Sequence, residues 1–150
     1  MINVTRERRT AHSANALWNV LSDPTNLPRV LDRIKHVDIG ELGAHGIPVK
    51  AHFDFGVVFG VKIAEGLFST HHHHHVSFDA HQPLPIVARW TLKPQPNGTL
   101  ITAQLRFDLK DFVGPLARMA PMVTVRKDVS DELDEALKRV DIMARDQTQS

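Results

Sequence analysis

Five consecutive histidines, His71–His75, form the densest group of potential metal ligands in the sequence. Alternation in a strand would direct His71, His73 and His75 to one side of the backbone. Imidazoles at alternate positions could hold a divalent metal, but no carboxylate accompanies them at a fixed spacing. These three histidines are therefore the candidate metal ligands. The pattern favours a solvated turn between two strands, with no metal and no cofactor.

Glu65 is the main candidate for acid–base chemistry. If a strand that begins at Val57 runs unbroken, its two-residue period places Glu65 on the same face as the apolar Val61. A carboxylate on that face could serve as an acid, a base or an anchor for a ligand. A β-bulge at Gly60 or Gly66 would turn Glu65 outward instead, and the sequence leaves both arrangements open.

A second set of reactive side chains follows the other predicted strands. It comprises His52, Asp54, Arg89, Arg106 and Asp108. The alternation places all five on the face opposite the apolar one, which is typical of solvated charges paired across strands. We therefore expect them to contribute little to a binding or catalytic site.

The composition excludes several classes of protein. Lys and Arg total 18 against 17 for Asp and Glu, so the net charge of +1 argues against nucleic acid as a partner. Cysteine is absent, which excludes disulfides, thiol nucleophiles and cysteine-ligated zinc. No apolar run is long enough for stable membrane insertion. With 150 residues, the chain is expected to form a single cytoplasmic domain over residues 1–150.

Hydrophobic periodicity predicts a strand, two short helices, six further strands and a long C-terminal helix. Ser13 is expected to cap the first helix, and Asp23-Pro24 is expected to end it. Asn97-Gly98 predicts a hairpin before the last strand. Pro121 is expected to kink or divide the final helix. The predicted strands lie at 2–9, 37–39, 49–55, from 57 onward, 76–78, 86–92 and 101–109.

Three segments carry a resemblance to a known group of proteins: AHSANALWNVLSDP at 11–24, PNGT at 96–99 and GPLA at 114–117. Their order resembles that of the START-like superfamily, also called SRPBCC or helix-grip proteins. The bacterial polyketide cyclase/dehydrase and lipid-transport branch is the most similar. The resemblance implies an α+β helix-grip fold, in which a curved seven-stranded antiparallel sheet wraps around a long C-terminal helix.

The same resemblance implies a cavity between the sheet and the C-terminal helix. We expect it to bind a hydrophobic small molecule such as a lipid, polyketide, quinone or isoprenoid. Small residues (Ala51, Ala88, Ala103) opposite flexible methionines leave space for such a ligand. The expected ligand-binding residues are Phe53, Phe55, Phe59, Trp90, Leu105, Phe107, Met119 and Val123.

Two alternatives to a binding protein remain open. One is a polyketide cyclase/dehydratase-like enzyme, a lyase or isomerase, that uses the same cavity with Glu65 or an inward histidine as the base. The other is a ribosome- or toxin-associated protein-interaction module with a small, empty cavity. The sequence also leaves a homodimer open.

Overall fold

The computed structural model of the protein describes residues 2–108, 110–111 and 122–148. Its strands are β1 (Ile2–Thr10), β2 (Ile34–Ile39), β3 (Ile47–Asp54), β4 (Val61–His71), β5 (His75–Pro83), β6 (Ile86–Gln95) and β7 (Gly98–Phe107). Its helices are α1 (Ala14–Leu21), a 3-10 turn (Pro24–Asn26), α2 (Leu27–Val30), α3 (Gly56–Phe59) and α4 (Met122–Thr148).

The seven strands form one antiparallel sheet in the order β1-β7-β6-β5-β4-β3-β2. Consecutive strands from β2 to β7 are neighbours, and β1 returns to pair with β7 along its whole length. The edges are therefore β1 and β2. The predicted fold, a curved seven-stranded antiparallel sheet with a long C-terminal helix, is confirmed.

Local capping explains the first two helical segments. The Ser13 hydroxyl accepts a hydrogen bond from the amide of Ala16 at 3.2 Å, so Ser13 is the N-cap of α1 as predicted. The Asp23 carboxylate accepts from the amide of Thr25 at 3.0 Å and caps the 3-10 turn that begins at Pro24. The Asp23 side chain thus has a structural role.

The connection between β3 and β4 differs from the prediction. We expected a strand from Val57, but residues Gly56–Phe59 form the single helical turn α3. Gly56 and Gly60 enclose this turn with φ angles of 87° and 70°, which favour glycine. The Asp54 carboxylate accepts from the Gly56 amide at 2.8 Å and fixes the entry to the turn. The strand therefore begins at Val61, and its alternation starts afresh there.

The terminal helix α4 packs mainly on β1, α1 and α2. Its apolar stripe of Val129, Leu133, Leu137 and Val140 is buried, as the 3.6-residue period predicts. Within the described ranges, no helix combines the length and the hydropathy required to cross a bilayer. The expected kink at Pro121 lies outside the described residues.

Polar contacts fix α4 to β1. Asp141 of α4 lies at the centre of one group and accepts from Arg8 at 3.0 Å and from Thr10 at 2.9 Å. His12 Nε2 lies 3.0 Å from the same carboxylate. Arg6 and Asp134 form a second ion pair, which is bidentate, because two guanidinium nitrogens each donate to one carboxylate oxygen at 2.9 Å. These contacts hold the helix across the edge strand and leave β3 to β5 further from it.

Candidate functional site

We define the inner face as the side of the sheet whose residues are buried. Small and aromatic side chains alternate across it, so the face is largely apolar. Strand register brings the two kinds together, because Ala88 lies opposite Phe78 and Ala103 lies opposite Trp90. The buried members on β3 to β7 include Ala51, Phe53, Ala64, Phe68, Val76, Phe78, Ala80, Ala88, Trp90, Ala103 and Phe107.

Leu105 is an exception within this buried surface. It lies on β7, opposite Val4 of β1 and Ala88 of β6, which are 7% and 5% exposed. Its inner-face neighbours on the same strand, Ala103 and Phe107, are also buried. Leu105 nevertheless stays partly accessible. The protein therefore leaves part of this side chain uncovered at an interior position of the sheet.

The expected ligand-binding residues fall into two groups. Those on β3, β6 and β7 belong to the inner face, or in the case of Phe55 to the end of β3 where that face stops. Phe59 and Val123 instead lie on exposed segments, with exposures of 37% and 81%. Met119 lies outside the described residues. The inner-face group comprises Phe53, Phe55, Trp90, Leu105 and Phe107.

Three exposed apolar side chains lie together on the β3–β4 connection, just beyond the end of β3. Val57 and Val61 are 104% and 60% exposed beside Phe59 on the β3–β4 connection. Met122 and Val123 are exposed at the beginning of α4 as described. Exposed apolar groups clustered in this way mark sites of interaction. We call Val57, Phe59 and Val61 the apolar rim.

Arg33 joins the sheet to α4 near the apolar rim. Its guanidinium donates to the backbone carbonyl of Asp54 at 3.3 Å and pairs with Glu132 of α4. The bond to Glu132 is the leading cause of a raised Arg33 pKa. The same guanidinium lies 5.6 Å from the ring centroid of Phe55. The end of β3 and the side of α4 are thus held together at a fixed separation.

Glu65 lies on the outer face of the sheet. Register pairs Lys62 with Phe53 and Ala64 with Ala51, so the even-numbered residues of β4 share the inner face. Glu65 points the other way, and its carboxylate lies 3.5 Å from Lys50 Nζ. The turn α3 accounts for the difference from the unbroken strand, because it shifts the phase of β4 by one residue.

The histidine run forms the hairpin between β4 and β5. His71 and His75 pair across the strands, with ring centroids 5.9 Å apart. His72 and His73 have φ angles of 55° and 58°, so the chain leaves the regular alternation there. The His73 ring lies against Trp18, with ring centroids 5.2 Å apart, and not beside His71 and His75. Burial is the leading cause of a lowered His75 pKa, and the nearby His71 adds to it.

A cluster of His36, Asp38 and His52 on the outer face was not predicted from the sequence. Asp38 of β2 accepts from His36 Nε2 at 2.8 Å and from His52 Nε2 of β3 at 2.9 Å. Both hydrogen bonds lower the pKa of Asp38, and the bond from His52 has the larger effect. The only available signal was His36-x-Asp38, two residues apart on one strand. His52 could not be added to it without the register of β2 on β3.

A groove of about 560 Å³ adjoins this cluster on the outer face. Asp38 lines it together with Lys50, Glu65 and His81. His81 is an extra residue in β5, because Glu65 pairs with Gln82 and Gly66 pairs with Ala80. The groove therefore lies beside a β-bulge. Bulges often redirect side chains near functional sites.

Similar structures agree with the fold. TTHA0849 from Thermus thermophilus has a TM-score of 0.78 at 13% identity, over 97% of this chain and 99% of that one. A START superfamily protein from Mycobacterium smegmatis has a TM-score of 0.74 at 15% identity, over 97% and 98%. The di-domain ARO/CYC StfQ from the steffimycin biosynthetic pathway has a TM-score of 0.74 at 9% identity, over 99% of this chain. This chain spans 52% of the length of StfQ.

No curated protein matches the sequence. A family description does match: residues 1–141 fit the family "Polyketide cyclase / dehydrase and lipid transport". The match covers nearly the whole chain and agrees with the START-like fold expected from the sequence. The chain therefore belongs to the polyketide cyclase/dehydrase and lipid transport family.

Proposed function

We propose that the protein binds a hydrophobic small molecule, such as a lipid, polyketide, quinone or isoprenoid, between the inner face and α4. The observation that carries the proposal is the partly accessible Leu105, which is surrounded by buried residues. Interiors of proteins are normally close-packed, so an uncovered apolar side chain at such a position indicates space for a ligand.

The composition of the inner face supports an apolar ligand. Phe53, Phe78 and Trp90 lie there among alanines at positions 51, 64, 88 and 103, and all of them are buried. Each square ångström of apolar ligand buried there contributes about 25 cal/mol. A few hundred square ångströms therefore yield several kcal/mol before the cost of association, which suits micromolar affinity without a charged anchor.

The apolar rim supports an entrance at the end of β3. Exposing these apolar side chains to water is unfavourable in free energy. A hydrophobic ligand passing them would lose part of its hydration before it reached Phe55. The Arg33 contacts to Asp54 and Glu132 keep this end of the sheet at a fixed distance from α4. The ligand would thus enter between two anchored elements.

The family description supports the same class of ligand, since it combines polyketide cyclases, dehydrases and lipid transport. The structural neighbours include a START superfamily protein and an ARO/CYC protein from a biosynthetic pathway. Both kinds of neighbour share the arrangement of sheet and terminal helix. At identities of 15% and 9%, their TM-scores of 0.74 show the fold alone, and the proposed ligand of this chain rests on its own residues.

Titration with the fluorescent apolar probe N-phenyl-1-naphthylamine tests the proposal. We expect saturable binding, and native mass spectrometry of the gently purified protein should show a retained apolar molecule. Phe59→Gln should weaken the probe several-fold. Leu42→Gln, which changes a residue that is 78% exposed on the β2–β3 loop, is the matched control and should have no effect. Absence of saturable binding, or equal effects of both variants, would refute the proposal.

The second candidate function is a cyclase/dehydratase acting in the same space. It requires an ionisable group on the inner face, and Lys62 lies there, half-buried and opposite Phe53. Lys62 could transfer the proton needed for aldol ring closure and loss of water. A synthetic poly-β-ketone substrate separates the two functions. An enzyme should release a cyclised product, and Lys62→Met should abolish that product while the probe still binds. No product from the unmodified protein would leave only the binding function.

A further inference from the structure

The outer-face cluster of His36, Asp38 and His52 has the donor set of a metal site. One ring nitrogen of His36, one of His52 and an Asp38 carboxylate oxygen all lie within 4.8 Å of one another. The two imidazole rings are 5.2 Å apart and tilted by 59°. Two histidines and one carboxylate are a common ligand set for zinc and related divalent ions.

A β-bulge creates this arrangement. Register pairs Ile34 with Phe53 but His36 with His52, so Lys35 is an extra residue in β2. Without it, His36 and Asp38 would share the inner face with Ile34. The bulge turns both side chains outward, onto the face that carries His52. Because β2 is an edge strand, the cluster is also open to ions from solvent.

The distances need little adjustment to accept an ion. Both imidazole nitrogens already lie 2.8–2.9 Å from Asp38 oxygens. Ligand atoms of a tetrahedral zinc ion lie about 3.4 Å apart when each bond is about 2.1 Å. Small side-chain rotations would therefore replace two hydrogen bonds with metal bonds. Side-chain exposures of 63% for His36, 55% for Asp38 and 27% for His52 leave room for that motion and for a water ligand.

Nearby charges do not oppose a cation strongly. Lys50 lies opposite Asp38 in the register, but its ammonium pairs with Glu65 at 3.5 Å. Lys35, the bulged residue, lies 4.0 Å from Asp32. Each ammonium thus has a carboxylate close by, and the Asp38 carboxylate remains to balance the charge of an ion.

We propose that His36, Asp38 and His52 bind one divalent transition ion, zinc first among them, through the two Nε2 atoms and the Asp38 carboxylate. The three ligands leave a fourth position to water at the edge of the groove that Asp38 lines. This site lies on the face opposite the inner face, so it does not depend on the proposed hydrophobic ligand.

The histidine run must be separated from this site in the test. His71 and His75 face outward together, while His73 lies against Trp18. Across the described part of the chain, their donor atoms do not form a close group of three like that of His36, Asp38 and His52. The run can still hold ions weakly through pairs of imidazoles. A background variant, His71→Gln/His72→Asn/His73→Asn/His74→Gln/His75→Gln, removes that contribution, and asparagine suits the positive φ at positions 72 and 73.

The experiment is calorimetric titration of chelator-treated background variant with zinc chloride. We expect one zinc ion per chain. His52→Gln and His36→Gln in that background should each weaken binding at least about tenfold. His45→Gln is the matched control, because His45 is an exposed histidine on the adjacent loop outside the cluster. It should bind zinc as the background does.

A second measurement keeps the proposal testable if the background variant folds poorly. Zinc added to the unmodified protein should shift the ¹⁵N resonances of Nε2 in His36 and His52, and leave those of His45 unchanged. Either result would overturn the proposal: no binding tighter than millimolar, or binding that is indifferent to His36 and His52. The cluster would then be only a hydrogen-bonded triad.

Discussion

Phe53 and Phe55 stack at the end of β3, with ring centroids 5.9 Å apart and planes 5° from parallel. The Arg33 guanidinium lies 5.6 Å from the Phe55 centroid and pairs with Glu132 of α4. The stack therefore extends the buried inner face to the apolar rim, and Arg33 connects it to the terminal helix. A ligand that enters past the rim would meet Phe55 first.

Phe55→Leu should lower the free energy of unfolding by about 1–2 kcal/mol, because it removes the aromatic stack and the cation–π contact. Urea unfolding measures the change, and the same variant should bind N-phenyl-1-naphthylamine more weakly. Phe59→Leu is the control, since Phe59 lies on α3 and is 37% exposed. Its stability should stay within about 0.5 kcal/mol of the parent protein. If Phe55→Leu and Phe59→Leu lowered the free energy of unfolding equally, the stabilising role of the stack would be contradicted.

Asp141→Asn should destabilise the attachment of α4 to β1. The carboxylate accepts from Arg8 and Thr10 and lies 3.0 Å from His12 Nε2, and its side chain is only 21% exposed. Hydrogen bonds to a charged, partly buried group contribute about 1.5–3 kcal/mol, so we expect a loss of about 2 kcal/mol in urea unfolding.

The control for Asp141 is Asp131→Asn on the same helix. Asp131 pairs with Lys127 at the surface, with side-chain exposures of 60% and 73%. Exposed pairs of this kind contribute little to stability. The unfolding midpoint of Asp131→Asn should match that of the parent protein. If Asp141→Asn left the midpoint unchanged as well, the contacts to β1 would not secure the helix.

His75 should titrate below the ordinary histidine value of about 6.5. Burial lowers its pKa first, and positive charge on neighbouring groups lowers it further. NMR titration of the imidazole measures this directly. The groups that act on it are His71, Arg89 and His74, which oppose protonation, and Asp79, which favours it.

A lowered pKa in the folded protein has a definite sign for stability. Between the folded pKa of His75 and about 6.5, the unfolded chain binds more protons, so the free energy of unfolding rises with pH across that window. Stability is lost as pH falls from about 6.5 toward the folded pKa. His75→Gln should remove this part of the slope, while His45→Gln should preserve it. A slope that persists in His75→Gln would mean that another group is responsible.

The strands with regular alternation could be predicted from sequence because each buries one face. The inner residues of β6, from Ile86 to Leu92, are all buried in the predicted phase. The segment Gly56–Phe59 could not be predicted in this way, because its valines and phenylalanine have the composition of a strand. Glycines with positive φ on both sides make it a turn, and that turn decides which face of β4 carries Glu65.

Only part of the candidate site could be predicted from the sequence, for a similar reason. Inner-face residues such as Trp90 follow from periodicity within one strand. The cluster of His36, Asp38 and His52 depends on register between two strands joined by the long loop at residues 40–46, and on a bulge at Lys35. Neither the register nor the bulge has a signature in a single sequence, so His36 and Asp38 could not be connected with His52.

The central claim concerns the space in front of Leu105, and Leu105→Phe tests it with two readouts from one variant. If that space is open, the larger side chain should fill it. Stability should then be unchanged or higher, and affinity for N-phenyl-1-naphthylamine should fall at least about tenfold, equivalent to about 1.4 kcal/mol. If the space is already filled by the protein, the extra atoms should cost about 1–3 kcal/mol of stability and leave probe affinity unchanged. That second result would contradict the proposed binding function.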